Sequence, residues 1–126
     1  MLTDRNSSAI VAVKDVDRAR TFYRDTLGLA IVADTEGVLT LRTGTTFLNV
    51  YRSDEAGTNC ANAVVWDCGE AFDAIVAELK SRGVAFEDYG TMDGMKFDGD
   101  AYRTDGFAAA WFKDPDGNIL HINSGM

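Results

Sequence analysis

The stretch Val13-Lys-Asp-Val-Asp-Arg-Ala-Arg-Thr-Phe-Tyr-Arg-Asp-Thr-Leu-Gly-Leu29 reads as the end of a strand, a capped helix and a glycine stop. Asp15 offers a side-chain acceptor where the first helical N–H groups lack partners. Asp17 follows in the first turn, where the positive end of the helix dipole favours an acid. Val16, Ala19, Phe22, Tyr23 and Leu27 recur at helical spacing and give one apolar face. Gly28 stands where a left-handed C-terminal cap is wanted. Before the helix, Ser7–Val13 is small and β-branched and reads as a strand. After it, strands are expected over Ala30–Thr35, Val38–Arg42 and Thr46–Arg52, with Glu36-Gly37 and Thr43-Gly44 as turns.

The pattern then repeats. The polar run Ser53–Asn59 contains Gly57 and reads as linker. Asn62–Cys68 is a strand, and Glu70–Arg82 is a helix with Phe72, Ile75, Val76 and Leu79 on one face. Gly83 ends it, and Val84–Tyr89 is expected as a strand. Phe107–Lys113 and Asn118–Asn123 form a hairpin around Asp114-Pro115-Asp116-Gly117. In that turn proline presets one torsion and glycine supplies the positive φ of the reversal. Gly28 and Gly83 are 55 residues apart, and the same offset sets Ala19 on Ala74 and Ser8 on Ala63. The class is therefore α+β: one domain, 1–126, of two βαβββ units, 1–52 and 62–126, with 53–61 between them.

Composition narrows the function. No apolar run approaches the roughly 20 residues of a membrane span. The opening Met1-Leu-Thr-Asp-Arg-Asn lacks the basic end and apolar stretch of a signal peptide, so a cytoplasmic location is expected. Cys60 and Cys68 have neither zinc-knuckle nor redox-pair spacing and read as small buried or half-buried thiols. A net charge of −8 and a pI near 4.4 argue against nucleic acid, whose binding needs basic patches, and favour cationic ligands or simple solubility.

The stretch Val13–Leu29, together with Trp111-Phe-Lys-Asp-Pro-Asp-Gly-Asn-Ile-Leu-His-Ile122, resembles the vicinal-oxygen-chelate superfamily of glyoxalases, bleomycin-resistance proteins and dioxygenases. The resemblance implies two curved sheets forming a half-open barrel, often completed by homodimerisation. It also implies a divalent metal at four strand positions, which map onto Ser8, Asn49, Ala63 and His121, with Asn62 in place of Ala63 if the register shifts by one. Many relatives carry histidine at the first position and glutamate at the last; this sequence departs at both. It holds a single histidine, so two histidines and a carboxylate cannot assemble within one subunit. Neither a metal nor any other cofactor is expected.

His121 alternates with Leu120 and Ile122 and so faces away from the helix side. Two roles stay open for it: a hydrogen-bonded lining residue, or an acid/base catalyst working near neutral pH. Trp111 alternates with Phe112 and is expected beside His121, whereas Trp66 is expected to pack on the second helix. Phe47 and Tyr51 share a face with Asn49. Ser8, Phe47, Asn49, Tyr51, Tyr102, Trp111 and His121 are thus the candidate ligand-binding residues, and the aromatic ones serve equally as core or dimer seam. Gly90–Gly106 reads as a long acidic loop, a solvated segment or a lid for a cationic ligand. The function expected is metal-independent binding of an aromatic or cationic small molecule by a homodimer, as in drug-sequestering, antibiotic-resistance members. The alternative is a glyoxalase-like lyase or isomerase, or a dioxygenase-related enzyme, using His121 as acid/base or residual metal ligand.

Overall fold

In the computed structural model, which describes residues 1–125, a carboxylate oxygen of Asp15 accepts the Arg18 N–H at 3.2 Å and opens helix α1 (Val16–Arg20). Over Thr21–Thr26 the helix widens to π geometry, and the Leu27 N–H donates to the Phe22 carbonyl at 2.9 Å. The spacing predicts one continuous helix; the wider turn still leaves Ala19 and Tyr23 fully buried. Gly28 then takes φ 76°, the left-handed stop.

The chain divides into two compact units, Met1–Gly57 and Thr58–Met126. In the first, β1 (Ala9–Val13), β2 (Ala30–Thr35), β3 (Val38–Thr43) and β4 (Thr46–Arg52) form an open sheet in the order β1-β4-β3-β2. β1 runs parallel to β4, and the other pairs are antiparallel. Val11, Val13, Leu39, Leu41, Leu48 and Val50 alternate onto one buried face. Each such side chain contributes about 1.5–3 kcal/mol by leaving water. The other face keeps Ile10, Val38, Phe47 and Tyr51 exposed.

In the second unit, β5 (Asn62–Asp67) leads through a 3₁₀ turn (Gly69–Ala71) to α2 (Phe72–Ser81). There follow β6 (Lys96–Phe97), β7 (Tyr102–Thr104), β8 (Phe107–Lys113) and β9 (Ile119–Asn123), in the sheet order β5-β9-β8-β7-β6. Phe72, Val76 and Leu79 of α2 are buried, as are Ala108, Ala110, Phe112, Leu120 and Ile122 of the sheet. The reversal between β8 and β9 is fixed as its residues dictate. One Asp114 oxygen accepts the N–H groups of Asp116 and Asn118 at 2.9 Å, the other accepts the Asn118 side-chain amide at 2.8 Å, and Gly117 takes φ 89°. Among the described residues no helix is long and apolar enough to cross a membrane.

Three expectations are corrected. The first strand starts at Ala9, where its pairing with Leu48 begins, so Ser8 lies ahead of it, exposed. Val84–Tyr89 is an extended arm rather than a ladder strand. β7 pairs with β8 only from Phe107 to Ala109, and the arm takes the edge left beyond, with one bridge from Phe86 to Phe112 and the Glu87 N–H donating to the Trp111 carbonyl at 2.8 Å. Gly90–Gly106 is not a free loop, because it contains β6 and β7 and buries Ala101 and Tyr102 completely. Arg103 bonds Asp73 and Asp98 at 2.6 Å each, and Lys80 bonds Asp100 at 3.0 Å, which ties this hairpin to α2. Each of these exposed pairs is worth only about 0–1 kcal/mol. They fix position more than stability.

Candidate ligand-binding site

Alternation along β8 and β9 puts Trp111 and His121 directly opposite each other on the face of the second sheet turned away from α2. Their rings stack, with centroids 4.6 Å apart and planes 26° off parallel. The Trp111 indole N–H donates to the Asn62 side-chain oxygen on β5 at 3.1 Å. Since β9 lies between β8 and β5, the indole spans His121 and is pinned on its far side. Tyr102 and Tyr89 meet it edge-on, at centroid distances of 5.8 and 5.9 Å. Such pairs contribute about 0.5–1.5 kcal/mol each beyond area burial. Trp111 itself stays only half-buried.

The Tyr102 hydroxyl organises the rim. It accepts the Tyr89 N–H at 2.7 Å and donates to the Gly90 carbonyl at 2.9 Å, so the end of the arm is held with Tyr89 against the indole. Tyr102 is 1% exposed and acts as support, whereas Tyr89 is 44% exposed and forms the outer wall. Burial pushes the Tyr89 phenol pKa up, with Glu87 adding to the rise.

His121 is held at both nitrogens. Nδ1 lies 3.1 Å from the Ala110 carbonyl, which can only accept, so Nδ1 carries the proton. Nε2 lies 3.3 Å from the Asn123 side-chain nitrogen, which can only donate. Burial pushes the imidazole pKa down, against a smaller upward pull from the Ala110 carbonyl. We expect an NMR titration of this single histidine to give a midpoint below 6.5. Native stability that is present above pH 6.5 is then lost as pH falls through the lowered midpoint, because the unfolded chain takes the proton first. A midpoint at or above 6.5 would contradict this environment.

The remaining candidates lie in the first unit. Phe47, Asn49 and Tyr51 share the open face of β4, with Phe47 43% and Tyr51 36% exposed. The Asn49 carboxamide oxygen accepts the Thr40 hydroxyl at 2.8 Å. Sequence reasoning did not select Tyr89, Asn62 or Asn123 for the ligand site. Asn62 stood only as the alternative register for Ala63, and a bulge between Asn62 and Val64 is where the ladder slips. A hollow of about 350 Å³ on the α2 side is lined by Phe72, Asp73, Arg103 and Ser124 among others, and includes neither Trp111 nor His121.

The match to known proteins is to a class. A family model, Glyoxalase/Bleomycin resistance protein/Dioxygenase superfamily, matches residues 7–122, and the chain belongs to that superfamily. No curated protein matches the sequence. Among solved structures it is similar to a glyoxalase/bleomycin resistance protein/dioxygenase from Alicyclobacillus acidocaldarius, at 20% identity and TM-score 0.70, covering 95% of this chain and 90% of that one. It is also similar to a lactoylglutathione lyase from Agrobacterium tumefaciens, at 17% identity and TM-score 0.67, covering 95% and 92%. A third is TnmS3, an antibiotic binding protein from Streptomyces sp. CB03234, at 23% identity and TM-score 0.62, covering 95% and 96%. At these identities the likeness is one of fold.

The metal that such a family implies does not fit the donors here. Ala63 has no donor atom, the Asn49 oxygen is engaged by Thr40, and both His121 nitrogens are occupied. Among the described residues no three histidine, cysteine, aspartate or glutamate side chains converge. Divalent metals of this family's kind need several anionic or imidazole ligands, which this arrangement lacks.

Proposed function

We propose that the protein binds a planar small molecule, aromatic or cationic, on Trp111, without a metal, in the manner of drug-sequestering members of its superfamily. The observation that carries this reading is the pinned indole, backed by His121, fixed by Asn62 and walled by Tyr89, yet half-buried rather than sealed. A ring held this way has little conformational freedom left to lose, and such preorganisation favours stacking. The fold shared with an antibiotic binding protein is consistent with sequestration. The acidic balance favours a cationic ligand. Of the six acids from Glu87 to Asp105, however, Glu87, Asp98 and Asp100 are paired with Lys113, Arg103 and Lys80, which makes planarity the stronger requirement.

The same reading takes the protein to be a cytoplasmic homodimer. Cys60, exposed rather than buried, and the half-buried Cys68 are both free, as a reducing compartment would leave them. Ile10, Phe47 and Tyr51 leave an apolar sheet face that a second copy can cover. The test is fluorescence titration in a Trp66→Phe background, so that Trp111 reports alone, with acridine-type cations and neutral polyaromatics. We expect saturable quenching at one site per chain, unchanged by a chelator. Quenching that is absent across the panel, or present only with a divalent metal, would refute the reading.

An acid/base enzyme would need one His121 nitrogen released from its partner. His121→Ala separates the two functions. Binding should survive in weakened form, whereas a turnover dependent on proton transfer should fall by about 10²–10⁴-fold.

A further inference from the structure

Asn123 is 2% exposed and close beneath the site, and its amide cannot turn freely. Its side-chain oxygen accepts the Gly125 N–H at 3.0 Å, which leaves the amide nitrogen facing His121 Nε2 at 3.3 Å. On the other side of the ring the Ala110 carbonyl faces Nδ1 at 3.1 Å. A donor at one nitrogen and an acceptor at the other admit a single arrangement: proton on Nδ1, lone pair on Nε2. The free imidazole has no such constraint.

We propose that Asn123 is a positioning residue that holds His121 as the neutral Nδ1–H tautomer against Trp111, so that the ring works as a fixed prop for the indole rather than as a base. The inference rests on the reading of Trp111 as the ligand platform and adds to it the residue that sets the platform's height and angle. The groups facing the ring within this unit are Trp111 and the Ala110 carbonyl from β8, Asn123 from β9 itself, and Val65, its register partner on β5. None of them carries charge, so the tautomer is set by hydrogen-bond direction alone.

With a single histidine in the chain, nitrogen–proton correlation spectra of ¹⁵N-histidine-labelled protein report His121 without assignment. In ligand-free wild type at pH 7.5 we expect one protonated-type nitrogen, Nδ1, and one bare nitrogen, Nε2. Asn123→Ala should admit the Nε2–H form alongside it, and planar ligands should bind about two- to tenfold more weakly, the net worth of one hydrogen bond. Asn123→Asp keeps an acceptor for Gly125 but turns an acceptor toward Nε2, and should add a proton there. Wild type protonated on Nε2 would overturn the proposal. So would folded Ala and Asp variants that both keep the wild-type pattern. If both variants fail to fold, the wild-type spectrum still tests the lock, since a proton on Nε2 overturns it. Since the tautomer is read without ligand, an expected spectrum with no ligand binding would refute the platform reading and leave the lock standing.

Discussion

Trp111→Ala should weaken binding of planar ligands by about 30-fold or more, at modest cost to folding. Tryptophan anchors at binding surfaces typically contribute 2 kcal/mol or more on truncation, and about 1.4 kcal/mol is a factor of ten. The indole is the one group touched from every side of the cluster: His121 by stacking, Asn62 by a hydrogen bond, Tyr89 and Tyr102 by their edges. Removing it takes away the stacking surface and leaves the Asn62 oxygen without its donor. Trp111→Phe should restore part of the affinity, because a ring remains but the tether to Asn62 does not. Isothermal titration on both variants, with circular dichroism as a folding control, measures this. Equal affinity in Trp111→Ala and wild type would place the ligand elsewhere.

One residue further along the same strand the outcome reverses. Phe112→Ala should destabilise the protein by about 3–5 kcal/mol, the range for deleting a buried phenylalanine. Phe112 is 1% exposed, pairs in register with Leu120 and meets Phe86 edge-on at 5.8 Å. Its ring also holds the extended arm through Phe86, whose backbone bridges to β8 at the same residue. The urea midpoint should fall with little change in slope, because the loss is of native packing rather than of compactness in the unfolded chain. Any protein still folded should keep the Trp111 platform and bind ligand far more tightly than Trp111→Ala does. A loss below about 1 kcal/mol would mean that the cavity collapses and that the core is not organised around this ring.

The contrast between Trp111 and Phe112 follows from strand alternation, and it was legible in the sequence. So was the face of His121, set opposite Leu120 and Ile122 by the same period of two. The Asp15 cap, the Gly28 stop and the Asp114–Gly117 turn were legible for a related reason. Each is decided by groups within a few residues of one another, and the observed bonds from Arg18, Asp116 and Asn118 are of that kind.

The sequence by itself determined the α+β class, the paired units, the face on which Trp111 and His121 meet, and the presence of a single histidine, because local propensity, alternation and residue chemistry suffice for these. Tertiary structure decided the rest. Trp111 is pinned by Asn62 across 49 residues of chain, and Tyr89 is held by Tyr102 across 13. Ala63 sits in a bulge whose place depends on register with β9, and Val84–Tyr89 became an arm because β7 leaves part of the β8 edge uncovered. The state of His121 was likewise hidden, since it is fixed by a carbonyl on the neighbouring strand and by an amide that Gly125 holds in place. Such contacts join groups distant along the chain, and no local pattern encodes which of them will meet.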